Sequence, residues 1–248
     1  MLLLSYTDLT VAMSRCQLMT ATSQTERNVR DELLHVAVDI LNQDGPDGLQ
    51  TRKIASAAGT STMAVYTYFG GMPGLIAAVA EEGLRQFDAA MTMPSTSDPV
   101  ADLVATGIAY RRYAIERPHM YRLMFGSTSA HGINAPAHDV LTLTVAEIND
   151  HYPSFAHVVR GVHRCMLAGR IAGFSGAAPP DDATVVATAA QFWASVHGFV
   201  MLELAGYYGA QGSAVGPVLA ALTGNLLVAL GDSPEEMRKS QHDAVQRR

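Results

Sequence analysis

The chain has 248 residues, 48% of them hydrophobic and only 7% aromatic, with 17 Lys and Arg against 23 Asp and Glu and a formal charge of −6. That length allows one small and one medium domain, and the Ala-rich, aromatic-poor composition favours close helix packing over a β-sandwich. The two cysteines, Cys16 and Cys165, are too few for a disulfide framework, and no apolar run reaches membrane-span length without a charge or turn signal.

In chain order, the start MLLLSYTDLTVAM has no basic leader and is interrupted by Asp8, so no signal peptide is expected. Residues 1–22 are read as a weakly ordered extension. Val29, Leu33, Val36, Ala37, Ile40 and Leu41 then recur at helical spacing as one apolar stripe, stopped by Asp44-Gly45-Pro46. Thr51 is the expected N-cap of a short helix through Ile54, Ala55 and Ala58. Gly59 supplies a tight turn, and Ser61 can cap a second helix whose apolar side is Ala64, Val65 and Phe69. Thr62, Met63 and Tyr66 are left at the exposed N-terminal end of that helix. In a helix-turn-helix this end enters the major groove.

After Gly70-Gly71-Met72-Pro73, a linking helix runs from Leu75 to about Met91, and the domain is expected to span 23–93. It holds five Lys or Arg against nine Asp or Glu, which argues against a sequence-blind nucleic-acid coat but not against specific binding. Arg27, Arg30, Arg52 and Lys53 could still share one face.

Met93 to Pro99 is a linker, and Asp98 caps a helix toward Glu116. A short helix follows to Phe125, then a loop over Gly126–Pro136. Further helices are expected through Val140–Asn149, Ala156–Gly173, 183–206 and 214–230, the helical domain covering 94–231. The remainder, 232–248, reads as a solvated polar tail. The last two apolar helices, with Phe192, Trp193, Val196 and Phe199 in one and Leu219, Leu222 and Leu226 in the other, suit a four-helix bundle with a second copy. Cys165 reads as a small buried hydrophobe. The nine histidines fall at spacings such as 157/163 and 138/151 that give no shared helix face for a metal, and no metal or cofactor is expected.

At Leu34, Ala37, Leu41, Gly45, Thr51, Ile54-Ala55, Ala58-Gly59, Ser61 and Tyr66-x-Tyr68-Phe69 the chain resembles the TetR family of one-component transcriptional regulators. The resemblance implies an all-α fold: an N-terminal three-helix helix-turn-helix domain and a larger helical ligand-binding and dimerisation domain. It places Thr51 and Tyr68 on phosphates and Arg52 on a base with Lys53 nearby. Ser61, Thr62, Met63, Ala64 and Tyr66 would lie at bases or the adjoining backbone. Met72 stands where the family commonly has a lysine. Trp193-Ala-Ser-Val-His197-Gly198 resembles a Trp-x-x-x-His-Gly subfamily of its C-terminal domains.

Eight bulky side chains should converge on an effector: Tyr110, Tyr113, Tyr121, Phe125, Phe174, Phe192, Trp193 and His197. The expected activity is that of a cytoplasmic, homodimeric repressor. It would bind a double-stranded, palindromic DNA operator and be released by a small apolar or amphipathic effector. Catalytic constellations are missing: there is no Gly-rich phosphate loop and no nucleophile elbow. A helical adaptor without DNA binding is the alternative.

Overall fold

A computed structural model describes residues 29–125, 139–173, 179–209 and 211–247. Among them are eleven α-helices and no strand: α1 (29–44), α2 (Thr51–Ala57), α3 (Thr62–Phe69), α4 (Met72–Met91), α5 (Pro99–Glu116), α6 (Pro118–Phe125), α7 (Val145–His151), α8 (Pro153–Leu167), α9 (Asp182–Leu204), α10 (Ala221–Ala229) and α11 (Pro234–Gln246). Two compact units divide inside α4, between Glu82 and Gly83, rather than at the Met93–Pro99 linker. The expected N-terminal extension, the loop after Phe125 and Phe174 lie outside the described residues.

The first unit follows the apolar spacing. Leu33, Ala37 and Leu41 of α1 are fully buried, as are Ile54, Val65, Leu75 and Val79. Thr51 is not the cap of α2. Gln50 holds that position in extended geometry, and its carbonyl accepts the Ile54 amide at 3.0 Å, so Thr51 is the first helical residue. Ser61 does occupy the N-cap of α3, although its hydroxyl makes no capping bond. Between them Gly59 has φ +63° and the Thr60 amide closes on Ala55 O at 2.9 Å. The linking helix starts at Met72, three residues earlier than expected, because Gly70 and Gly71, both at positive φ, complete the break between them.

The second unit buries Val100, Val159, Val162, Cys165, Val185, Val186 and Leu227 in one continuous core. Asp98 caps α5, accepting the Val100 and Ala101 amides at 3.0 Å each. The helix expected over Val140–Asn149 is a single 3₁₀ turn, Val140–Thr142, and then α7. Thr144 and Glu147 start α7 with a reciprocal capping box. α8 stops at Leu167, short of Gly173, at a turn where Gly169 has φ +67°. The segment expected as one helix over 214–230 begins as a wider π-turn, Val215–Ala220, and tightens into α10. By length and composition α9 could cross a bilayer, with a mean hydropathy of 1.4, but Val185, Val186, Ala189, Phe192 and Val200 are buried within the unit. The buried Glu203 carboxylate takes both Nε and Nη2 of Arg111, at 2.8 and 2.6 Å, tying α9 to α5.

The 232–248 segment is not a solvated tail. It forms α11, packed along α5, with Ser240 and Ala244 buried. Its attachment is polar: the Ser240 hydroxyl donates to Asp98 at 2.7 Å, and Gln241 Nε2 donates to Ala220 O at 2.9 Å. Arg170 spans the buried Asp232 with bonds of 2.8 and 2.9 Å. Burial pushes the Asp98 carboxyl up, but the Ser240 hydroxyl, the Ala101 amide and Arg170 outweigh it and hold the group below its usual range. Asp102 is held down in the same sense, burial being outweighed by Thr96, Arg164 and Arg247. Both therefore stabilise the fold at neutral pH and lose that contribution only in strong acid.

Candidate nucleic-acid interface and ligand cavity

The two short helices α2 and α3 pack on each other around the Gly59 turn, which leaves the start of α3 outward. Thr62 is exposed there, Met63 is 68% exposed and Tyr66 58%. Two large apolar or aromatic side chains so open to solvent, one turn apart, are unexplained by packing. The Tyr66 ring has a specific support: a Cβ on Gly71 would lie 3.4 Å from its Cε1, so this glycine leaves the ring its resting surface. Ala64 and Tyr68 are half-buried, and Ser61 is exposed.

On α2, Thr51 is half-buried while Arg52 and Lys53 are exposed. Arg52 has no partner among the described residues. Lys53 Nζ is bonded to Asp44 at 2.7 Å, and the Arg30 guanidinium lies 5.2 Å from the centroid of the Phe69 ring. Both cations are engaged within the unit, which leaves Arg52 as the unpaired cation among its described residues. The surface can present one planar guanidinium and a small set of neutral side chains to an ordered polyanion.

In the second unit most of the expected aromatic residues meet, around one that sequence reasoning missed. Phe87, on the second half of α4, is fully buried and stands edge-on to Tyr110 (4.8 Å between centroids), Phe125 (5.8 Å) and Trp193 (6.3 Å). Tyr113 packs on it at 5.1 Å and donates to Gly83 O at 3.0 Å. Phe155, also unforeseen, stands edge-on to Trp193. The apolar spacing of α4 could have flagged Phe87, since it falls three turns beyond Leu75 and Ile76 on a helix read only as a connector.

The same residues divide into two groups. Tyr110, Phe192 and Trp193 line an apolar cavity of about 120 Å³ with Leu103, Gly107, Val196, Leu219, Thr223 and Leu227. Gln241 and Val245 of α11 complete the lining, and the reading of that segment as a tail hid them. Tyr113, Tyr121, Phe125 and His197 do not line it. His197 Nδ1 instead lies 2.8 Å from the Tyr121 hydroxyl and 2.9 Å from that of Tyr110, and the two hydroxyls are 2.7 Å apart.

Burial lowers the pKa of His197 and raises those of both tyrosines, so all three are neutral at neutral pH. In the tautomer with the proton on Nε2, one hydroxyl donates to the Nδ1 lone pair while the other donates to the first. Either phenol can serve the imidazole. Tyr121→Phe alone is therefore expected to cost less than about 1 kcal/mol, whereas Tyr110→Phe with Tyr121→Phe strands Nδ1 and costs about 1–3 kcal/mol more than the singles sum to. Urea unfolding of the three variants measures this; additive losses would contradict the shared acceptor.

The imidazole also sets a pH slope. Unfolded, His197 titrates near its ordinary 6.5. Folded, it titrates lower, so below that pH the unfolded chain binds a proton the folded one excludes. Stability is expected to be flat above about pH 7 and to fall as pH drops below about 6.5. His197→Gln should flatten that part of the curve, as followed by unfolding midpoints across the range. Burial also pushes the Cys165 thiol up to about 12, which removes the thiolate a redox sensor needs. Among the described residues no group of three or more His, Cys, Asp or Glu is placed to hold a metal ion.

One unit holds a helix-turn-helix with an open recognition end and the other an apolar cavity, the parts of a DNA-binding protein with room for a small ligand. Comparison with protein-family models gives the family. Residues 33–79 match the model of bacterial regulatory proteins of the tetR family, and residues 103–226, half of the chain, match the tetracyclin repressor-like C-terminal domain. The chain belongs to the TetR family of DNA-binding transcriptional regulators, which are not enzymes, and the adaptor reading is set aside.

Among solved structures, a protein of unknown function from Rhodococcus sp. RHA1 is 26% identical with a TM-score of 0.60, covering 82% of this chain and 96% of its own. RolR in complex with resorcinol shares the fold at 16% identity and a TM-score of 0.58, over 88% of this chain and 95% of its own. A tetR-family regulator from Streptomyces coelicolor does so at 18% and 0.56, over 89% of each chain. No curated protein matches the sequence.

Proposed function

We propose that the protein is an effector-gated repressor of the cytoplasm that binds a palindromic operator as a homodimer. Thr62, Met63 and Tyr66 read the major groove beside Arg52, and Thr51, Lys53, Ser61, Ala64 and Tyr68 lie against the backbone or the neighbouring bases. A single such surface covers only a few base pairs, so two half-sites must be engaged together. The exposed face of α9 supports the pairing: Ala187, Ala194, Gly198 and Leu202 form an open stripe at helical spacing, small enough for a second helix to approach closely. Leu222 of α10 is exposed as well. Trp193 to Gly198 resembles the signature of the Trp-x-x-x-His-Gly subfamily, which is in keeping with this reading.

The observation that carries the gating is α4. Its first half belongs to the DNA-binding unit, and its second half sets Phe87 against Tyr110 and Trp193, which line the cavity. A ligand that displaces those rings moves a side chain of the very helix that enters the DNA-binding unit. Coupling of about 1–3 kcal/mol is typical of such linkage. The cavity is near the ~150 Å³ that admits benzene, with Thr106, Thr223 and Gln241 as its polar groups. It suits an effector of about one ring carrying one or two hydrogen-bonding substituents. Selection from randomised duplex DNA, then gel-shift of the enriched site, tests the reading. A palindrome bound by one dimer is the expected result; no enrichment by a folded dimer would overturn it.

A further inference from the structure

A second cavity of about 500 Å³ lies on the other side of α5 and has the opposite chemistry. At about 100° per residue, Leu103, Gly107 and Tyr110 face the apolar chamber, while Ala105, Ala109 and Arg112 face this one. Arg112, Arg160, Arg164 and Arg247 line it, and Asp102 is its single lining carboxylate. That carboxylate is shared: Arg164 and Arg247 each bond it at 2.7 Å. Among the described residues Arg160 bonds no carboxylate, only Asn149 Oδ1 at 2.6 Å and His157 Nδ1 at 3.1 Å. Arg112 has no partner among the described residues. Asp88 is held one contact away, taking His157 Nε2 at 2.8 Å, and the four lining arginines exceed it and Asp102 by two. Such an excess, concentrated in one recess of a chain whose net charge is −6, makes the recess locally attractive to an anion.

We infer that this recess is a binding site for a small, multiply charged anion, a polycarboxylate or a phosphate ester, separate from the apolar effector chamber. The guanidinium of Arg112 is free to form a forked pair with a carboxylate or phosphate edge, and Arg160 can turn to it from α8. The volume exceeds what an inorganic ion needs and accommodates an organic anion. Its floor is the 91–96 segment that leaves α4, where Thr96 is already held by Asp102 and Arg164. An occupied site would pin that segment to α5 and α8. The assignment does not rest on the effector reading, because the two chambers share only the flanking Thr106 and Ile108.

Titration calorimetry on the full chain, without DNA and at ionic strength held constant with sodium chloride, is the test. Citrate and pyrophosphate serve as the two probes. Saturable binding of one anion per chain is expected from at least one of them, and the stronger probe identifies the polycarboxylate or the phosphate source. Kd should rise about tenfold or more in Arg112→Gln and again in Arg160→Gln, both exposed positions that leave the fold intact. Binding should persist in Gly107→Leu, which fills only the apolar chamber. Absence of saturable heat from both probes overturns the assignment, as does affinity unchanged by both arginine variants or lost in Gly107→Leu.

Discussion

Arg52→Ala and Tyr66→Ala proteins are expected to remain folded and dimeric while losing the operator. Each removes an exposed side chain, so its effect on stability should stay within about 0.5 kcal/mol. A guanidinium forked onto a guanine edge is worth about 1–3 kcal/mol of discrimination, and a dimer loses that at both half-sites. The expected weakening is thus about 5- to 150-fold per half-site, compounded across the pair. Lys53→Ala provides the contrast. Its ammonium is already held by Asp44, so its loss should be small and equal for all DNA sequences. Gel-shift of the selected site against a scrambled duplex separates the cases. Parent-like binding by Arg52→Ala and Tyr66→Ala would show that another surface reads the DNA.

The second large effect belongs to Gly107. A Cβ built there meets only Val196 Cγ2 at 3.7 Å, so the position opens directly into the apolar chamber. Gly107→Ala should stabilise the protein by about 0.5–1 kcal/mol through helix propensity alone. Gly107→Leu puts a branched side chain where the effector would sit. Operator affinity is expected to persist, and effector-driven release to fall from the typical 5- to 150-fold shift to about none. Benzene supplies an early readout before the effector is known: it should raise the melting temperature of the parent and not that of Gly107→Leu. A Gly107→Leu protein still released by effector would place the ligand elsewhere.

What was legible in the sequence had a local signature. The apolar stripe of α1, the Gly59 turn and the open end of α3 follow from spacing within about twenty residues. The helix ends that were misplaced turn on hydrogen-bond geometry that composition does not encode. Gln50 starts α2 through its carbonyl alone, and the π-turn at Val215–Ala220 contains Gly216-Pro217, a helix-disturbing pair whose outcome spacing does not specify. α11 was hidden for a different reason. Its buried positions are the small Ser240 and Ala244, with Met237 only partly buried against the core, and its partner Asp98 stands 142 positions away. The aromatic residues of α5, α6 and α9 lie near one another, as their apolar character suggested, while Phe174 lies outside the described residues. Their division into a cavity wall and a packed core with its own His–Tyr–Tyr contacts depends on which way each ring points along α5 and α9, which spacing on separate helices does not determine.

The division of the two units within an unbroken α4 has a consequence for building hybrids. Regulators whose domains meet at a flexible linker can exchange halves with little regard for the length of the joint. Here the boundary falls inside a helix, so each residue inserted after Glu82 shifts the register of α4 itself by about 100° and about 1.5 Å. A graft keeps its phase only when insertions come in whole turns, three or four residues at a time. New operator specificities should therefore be transplantable onto this sensing unit only by matching α4 residue for residue.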